Sequence, residues 1–140
     1  MKLSKRGRYG VLALQDLANE YGTGPVALKS IAERQGISEN YLEQLMGSLK
    51  RAGFVKSMRG AQGGYILAKE PKDIAIGEII VAMEGPIAFV DCMQMDGDAP
   101  YVCAKADSCS RRSVWDTIGA RINEVLNSIT LEEIREKSVQ

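Results

Sequence analysis

The chain of 140 residues contains no histidine and only three cysteines, all within residues 91–109, DCMQMDGDAPYVCAKADSC. Without an imidazole the commonest general base is missing, and a zinc site would need a carboxylate as its fourth ligand. No nucleophile–base pairing and no phosphate loop opening a helix stands out, so an enzyme is not expected. Long apolar runs are also missing. The longest, around GEIIVAMEG, is broken by glutamates and is too short for a membrane span. The basic N-terminus MKLSKRGRYG has neither an apolar h-region nor a small-residue cleavage site behind it. An odd cysteine count fits poorly with a secreted disulfide framework. These absences point to a cytoplasmic protein with no membrane partner, in which clustered thiols mean metal binding or redox chemistry.

The chain is long enough for one domain with an extension, and for a core that needs no disulfide staples. Its net charge is zero, but the total hides a division. Residues 1–72 carry 12 Lys and Arg against 6 Asp and Glu, whereas residues 73–140 carry 6 against 12. Such asymmetry suggests a basic surface for a polyanion and an acidic remainder.

Residues 5–20 predict a helix, with Tyr9, Leu12, Ala13, Asp16 and Leu17 on a three–four rhythm and Val11, Leu14 and Ala18 broadening the face. The turn residues YGTGP end it. A short helix follows over 26–35, stopped by Gly36, and Ser38 is placed to cap a helix over 39–52. Leu42, Leu45, Met46 and Leu49 form the buried stripe of that helix, while Asn40, Glu43, Gln44, Gly47, Ser48, Lys50 and Arg51 face outward. FVKSMRG then alternates as a strand, with Phe54 and Val55 on opposite faces. GAQGG turns, and YILA returns. Two helices about a glycine turn, followed by a hairpin, make a winged helix-turn-helix. Pro71 marks a connector, 74–84 a short helix, and 110–127 a long amphipathic one. Val114, Ile118, Ile122, Val125, Leu126 and Ile129 line the long helix without an obvious partner in the chain, which suggests packing against a second copy. TLEE, from Thr130, is a capping-box pattern for a last short helix. The expected fold is therefore mainly α with a small β-hairpin. A winged helix-turn-helix DNA-binding domain covers 1–72, and a sensor loop (91–109) and a dimerisation helix occupy 73–140.

The helix over 39–52 fits the major groove of duplex DNA, with Asn40, Tyr41, Glu43 and Gln44 on its leading turns. Glu43 is either a discriminator that accepts from cytosine and repels phosphate, or a solvated carboxylate; both readings carry equal weight. Arg59 at the wing suits a minor groove. Lys2, Lys5, Arg6, Arg8, Lys50 and Arg51 suit phosphates. Singly, each of these bases is equally well explained by solvation.

Cys92 and Cys103 have ten residues between them, and Cys103 and Cys109 have five. Neither gap is that of a zinc ribbon or a ferredoxin. Four readings stay open at this level: inert thiols, a thiol–disulfide switch, a zinc site and an iron–sulfur cluster.

KRGRYG, IAERQGISENYLEQLMGSLKRAGFVKSMRGAQGGYILAK, IAIGEII and VWDTIGARINEVLNSITLEEI together resemble the Rrf family of winged-helix transcription regulators. The likeness is strongest to the family's iron–sulfur-cluster-sensing branch, and SxxYLEQL followed by RGxxGGY is its most specific part. The resemblance implies a homodimer on a near-palindromic double-stranded operator. It implies cluster ligands at Cys92, Cys103 and Cys109, with 2Fe-2S favoured over 4Fe-4S. It implies DNA contacts at Ser38, Asn40, Tyr41, Glu43, Gln44, Arg59 and Gly60. That branch carries a histidine three residues after its last cysteine, where this chain has Arg112, a cation with no lone pair for iron. Some relatives supply a carboxylate near the N-terminus, where this chain has Arg8. Asp91, Asp96, Asp98 and Asp107 are the nearby alternatives, besides water or a small thiol. The other expectation is a DNA-binding regulator that senses thiol oxidation or zinc.

Overall fold

Ser4 sits just ahead of a run of good helix formers, and its Oγ accepts a hydrogen bond from the Gly7 amide at 3.2 Å. This cap starts α1 (Lys5–Asn19). In a computed structural model of the chain, residues 3–85, 95–96, 99–100 and 110–138 are described. The buried face of α1 runs through Gly7, Gly10, Ala13, Leu14, Leu17 and Ala18. It is turned away from Tyr9 and Leu12, which the apolar rhythm places on it and which are half-buried. The reason is steric. A Cβ at Gly7 would run into the Glu84 carboxylate, and one at Gly10 would come within 3.0 Å of Met83 Cγ. Two residues with no hydropathy signal thus define where another helix lies against α1.

Asp16 lies on the same face and is 4% exposed. Its carboxylate accepts from Arg34 Nε at 2.9 Å and Arg34 Nη2 at 2.6 Å, and from Gln35 Nε2 at 3.0 Å. Both donors belong to α2 (Leu28–Gln35). A buried carboxylate persists only when it is satisfied in this way. The bond to Asp16 raises the Arg34 pKa above its already high ordinary value.

Gly36, at φ 65° and ψ 35°, ends α2 in the left-handed region, which costs glycine nothing. Ser38 caps α3 (Glu39–Arg51), its Oγ accepting from the Tyr41 amide at 3.2 Å. Leu42, Leu45, Met46 and Leu49 are buried, the stripe the sequence predicts. The wing is β1 (Val55–Met58) antiparallel to β2 (Gly64–Leu67), with Val55 opposite Leu67 and Met58 opposite Gly64. Strand alternation predicts opposite faces for Phe54 and Val55, yet both are buried, at 5% and 2% exposure. Phe54 precedes the ladder, and its amide still donates to Leu49 O at 3.0 Å. The free edge of β2 is occupied. Val26 and Tyr65 exchange two backbone hydrogen bonds of 2.9 Å, a close approach in which a Cβ on Gly64 would strike the Val26 carbonyl.

A single 3₁₀ turn over Pro71–Asp73 leads to α4 (Ile76–Glu84). A minimal antiparallel pair follows, β3 (Met95–Asp96) with β4 (Ala99–Pro100), then α5 (Ser110–Ser128) and α6 (Leu131–Ser138). Thr130 Oγ1 accepts from the Glu133 amide at 3.3 Å, which is the cap that TLEE predicts. The Ile76 amide donates to Ile129 O at 2.8 Å and the Leu131 amide to Ile74 O at 3.0 Å, fastening the start of α4 to the α5–α6 junction. The core is continuous across these parts. Leu14, Ile31, Leu42, Met46, Leu49, Ile74, Ile79 and Leu131 are its largest fully buried side chains. Leu126 and Ile129 pack on it, whereas Val114, Ile118 and Val125 are 56%, 36% and 58% exposed, leaving a stripe of α5 facing outward.

Replacing Arg34 by Ala strands the Asp16 carboxylate with only Gln35 as donor. The expected loss is about 1.5 kcal/mol of folding stability, read from urea unfolding, the lower end for hydrogen bonds to a charged group, because the Arg34 side chain is 45% exposed and water can take part of its place.

Candidate nucleic-acid interface

The first two turns of α3 bring Asn40, Tyr41, Glu43 and Gln44 together. Asn40, Glu43 and Gln44 are exposed, and Tyr41 is half-buried. Tyr41 is held in place. Its ring meets that of Tyr9 on α1 edge to face, with centroids 6.0 Å apart and planes at 75°. Lys5 Nζ lies 5.8 Å from the Tyr9 centroid and 5.5 Å from that of Tyr41, and the Arg8 guanidinium lies 5.3 Å from Tyr9. The aromatic pair therefore fixes α1 against α3 and gathers two cations on the same side.

One turn further along α3, Arg6 Nη2 donates to Ser48 Oγ at 2.9 Å, and Arg51 Nη2 donates to the same oxygen at 3.1 Å. An open depression of about 750 Å³ is lined by these three residues with Asn40, Tyr41, Glu43 and Gln44. Lys50 Nζ donates to Ser57 Oγ of β1 at 2.8 Å and links the helix to the wing. Arg59 and Gly60 sit exposed at the hairpin tip, apart from the depression, where the Gly63 amide donates to Gly60 O at 3.0 Å to close the turn.

Of the residues that sequence reasoning singles out, Ser38, Asn40, Tyr41, Glu43 and Gln44 share one helix end, and Arg59 and Gly60 share the wing. Cys92, Cys103 and Cys109, with Lys2, Asp91, Asp98 and Asp107, lie outside the described residues. So do the side chains of Asp96 and Arg112. Among the described residues no group of three or more His, Cys, Asp or Glu side chains is placed to hold a metal ion. Sequence reasoning gave Tyr9 only to the apolar rhythm and Ser48 only to the outer face. The i, i+3 spacing of Ser48 and Arg51 is a readable signal for one contact, but Arg6 reaches Ser48 across 42 positions and leaves no local trace.

The profile of the Rrf2 family, described as an iron-dependent transcriptional regulator, matches residues 3–137. The chain belongs to this family. It is similar to the solved structure of CymR (YrzC), the global cysteine regulator of B. subtilis, at 43% identity and a TM-score of 0.79, covering 98% of both chains. It is similar to T. potens IscR at 48% identity and a TM-score of 0.78, covering 99% of this chain and 88% of that one. It is 42% identical over 134 residues to the HTH-type transcriptional regulator IscR of Klebsiella pneumoniae (strain 342), covering 96% of this chain and 79% of that protein. The chain is thus a DNA-binding transcription regulator and not an enzyme, with the mainly helical, winged architecture expected. No helix among the described residues is long and apolar enough to cross a membrane.

The Tyr9–Tyr41 pair is the geometric hinge of this surface. A double-mutant cycle of Tyr9→Leu and Tyr41→Leu, followed by urea unfolding, is expected to return a coupling of about 1 kcal/mol. Purely additive losses would show that the rings are only neighbours.

Proposed function

We propose that the chain is a homodimeric, cytoplasmic operator-binding regulator whose affinity for DNA is set by an iron–sulfur cluster on Cys92, Cys103 and Cys109. Residues 1–72 are its reading head and 73–140 its sensor and dimer region. The observation that carries the sensing role is the confinement of every thiol to the segment joining α4 to α5, next to an intact helix-turn-helix and wing. Three thiolates are the donor chemistry an iron–sulfur cluster takes, 2Fe-2S in preference to 4Fe-4S. When bound, such a cluster would cross-link the three thiols.

The chain's own residues do the rest. Asn40 and Gln44 offer paired hydrogen bonds to adenine, and Glu43 accepts from cytosine while disfavouring sites that bring phosphate near it. Ser38 and Tyr41 fix the helix end, and Arg59 with Gly60 enters the minor groove. The outward stripe of Val114, Ile118 and Val125 is the dimer contact, placing two heads on a two-fold operator. Operator affinity changes only by the difference in binding between the two states of the thiol segment.

A second reading has its own support. Arg112 stands where the cluster-sensing branch has a histidine, and the global cysteine regulator CymR is as similar to this chain as IscR is. In that reading the thiols sense oxidation or hold zinc.

Protein purified without oxygen is expected to absorb in the visible and to contain iron and acid-labile sulfide in comparable amounts. Replacing Cys92, Cys103 and Cys109 by Ala should abolish both and shift affinity for a selected operator by about tenfold. A colourless protein that takes up no iron on reconstitution transfers the sensing role to thiol oxidation or zinc.

A further inference from the structure

Ser48 has no charge and lies mid-helix, yet two guanidinium groups from different helices converge on its hydroxyl. Arg6 comes from the first turn of α1 and Arg51 from the last turn of α3. Two donors on one oxygen bring the cations within about 6 Å of each other. That costs repulsion, and neither guanidinium pairs with a carboxylate among the described residues. The arrangement is held in other ways. Ser48 Oγ itself donates back to Gln44 O at 3.4 Å, which aims its lone pairs outward at the arginines. Two unneutralised, preorganised cations at the rim of an open depression are a seat for an anion with several acceptor oxygens.

The geometry points to one backbone phosphate of duplex DNA, clamped jointly by Arg6 and Arg51, with Ser48 as the positioning residue that holds both guanidiniums ready. This rests on the DNA-reading role of α3 proposed above. The seat lies on the same helix as the residues that read base edges, five positions beyond Glu43, or about 7.5 Å along the axis. That separation keeps the Glu43 carboxylate clear of the phosphate while the same depression holds both. The phosphate contact therefore sets the depth and rotation of α3 in the groove, and so which base edges Asn40, Glu43 and Gln44 can reach.

The test is the salt dependence of binding to a random-sequence 30-bp duplex, read by fluorescence anisotropy on the full chain. Far-ultraviolet circular dichroism checks that each variant stays folded. Each phosphate neutralised contributes about 0.9 to the slope of log affinity against log salt. The proposed dimer carries one seat in each protomer, so a shared seat predicts that Arg6→Gln/Arg51→Gln together lose about 1.8 from the slope. It predicts that Ser48→Ala weakens binding about threefold and that Ser48→Thr restores it. A loss of about 3.6 in the double variant would mean two separate phosphates in each protomer and overturn the shared seat. No loss at all would overturn any phosphate role for these arginines. Ser48→Ala binding like the unmodified chain would overturn the positioning role. If the unmodified chain shows no salt-dependent duplex binding, the DNA reading itself fails, which is a different result from any of these.

Discussion

The carboxylate of Asp16 is buried between α1 and α2 and accepts three hydrogen bonds, two from Arg34 and one from Gln35. A charge in that position has few ways to be satisfied, so it fixes how the end of α2 meets α1. From there the constraint spreads. The left-handed turn at Gly36 sets the direction in which α3 leaves, and Ser38 decides where it starts. The apolar stripe of α3 then falls onto Leu14 and Ile31 in the core, leaving Asn40, Glu43 and Gln44 outside. A hydrophobic contact tolerates a rotation of several degrees. A bidentate ion pair on a buried carboxylate does not, which is why the orientation of the exposed face of α3 depends on a side chain that lies outside it.

What was legible in the sequence follows from range. The stripe of α3, the glycine stop at Gly36, the caps at Ser38 and Thr130 and the wing all depend on residues within a few positions of one another. Asp16 was legible as a position but not as a charge needing a partner, since Arg34 and Gln35 lie 18 and 19 residues on. The face of α1 was placed too far toward Tyr9, because Gly7 and Gly10 pack closely without any hydropathy to announce it. The convergence of Arg6 and Arg51 on Ser48 was hidden for the same reason. The sequence marks both arginines as phosphate contacts taken one at a time, and only the crossing of α1 over α3 joins them. The thiols were legible as a cluster from spacing and composition alone, and what they bind is a question of chemistry rather than of pattern.

The two ends of the regulator meet at α1. Glu84, at the last turn of α4, accepts a hydrogen bond from the Ser4 amide at 2.7 Å and another from its hydroxyl, while the flank of Gly7 packs against the same carboxylate. The residue that closes the helix before the thiol segment is therefore also the one that holds the cap of the helix carrying Lys5, Arg6 and Arg8. Helix α4 and the cationic first turn of α1 thus share a wall.

The bond between Val26 and Tyr65 has a consequence for how such a protein can evolve. Because the wing is stitched to the chain just before α2, the hairpin cannot swing independently of the helix pair. The span from α3 to the hairpin tip is then a ruler of fixed length. Under the proposed reading, new operators have to be learned by exchanging side chains along the ruler, since its length is not free to vary. Only residues beyond the last bonded pair, at the tip around Arg59 and Gly60, can grow or shrink without bending it.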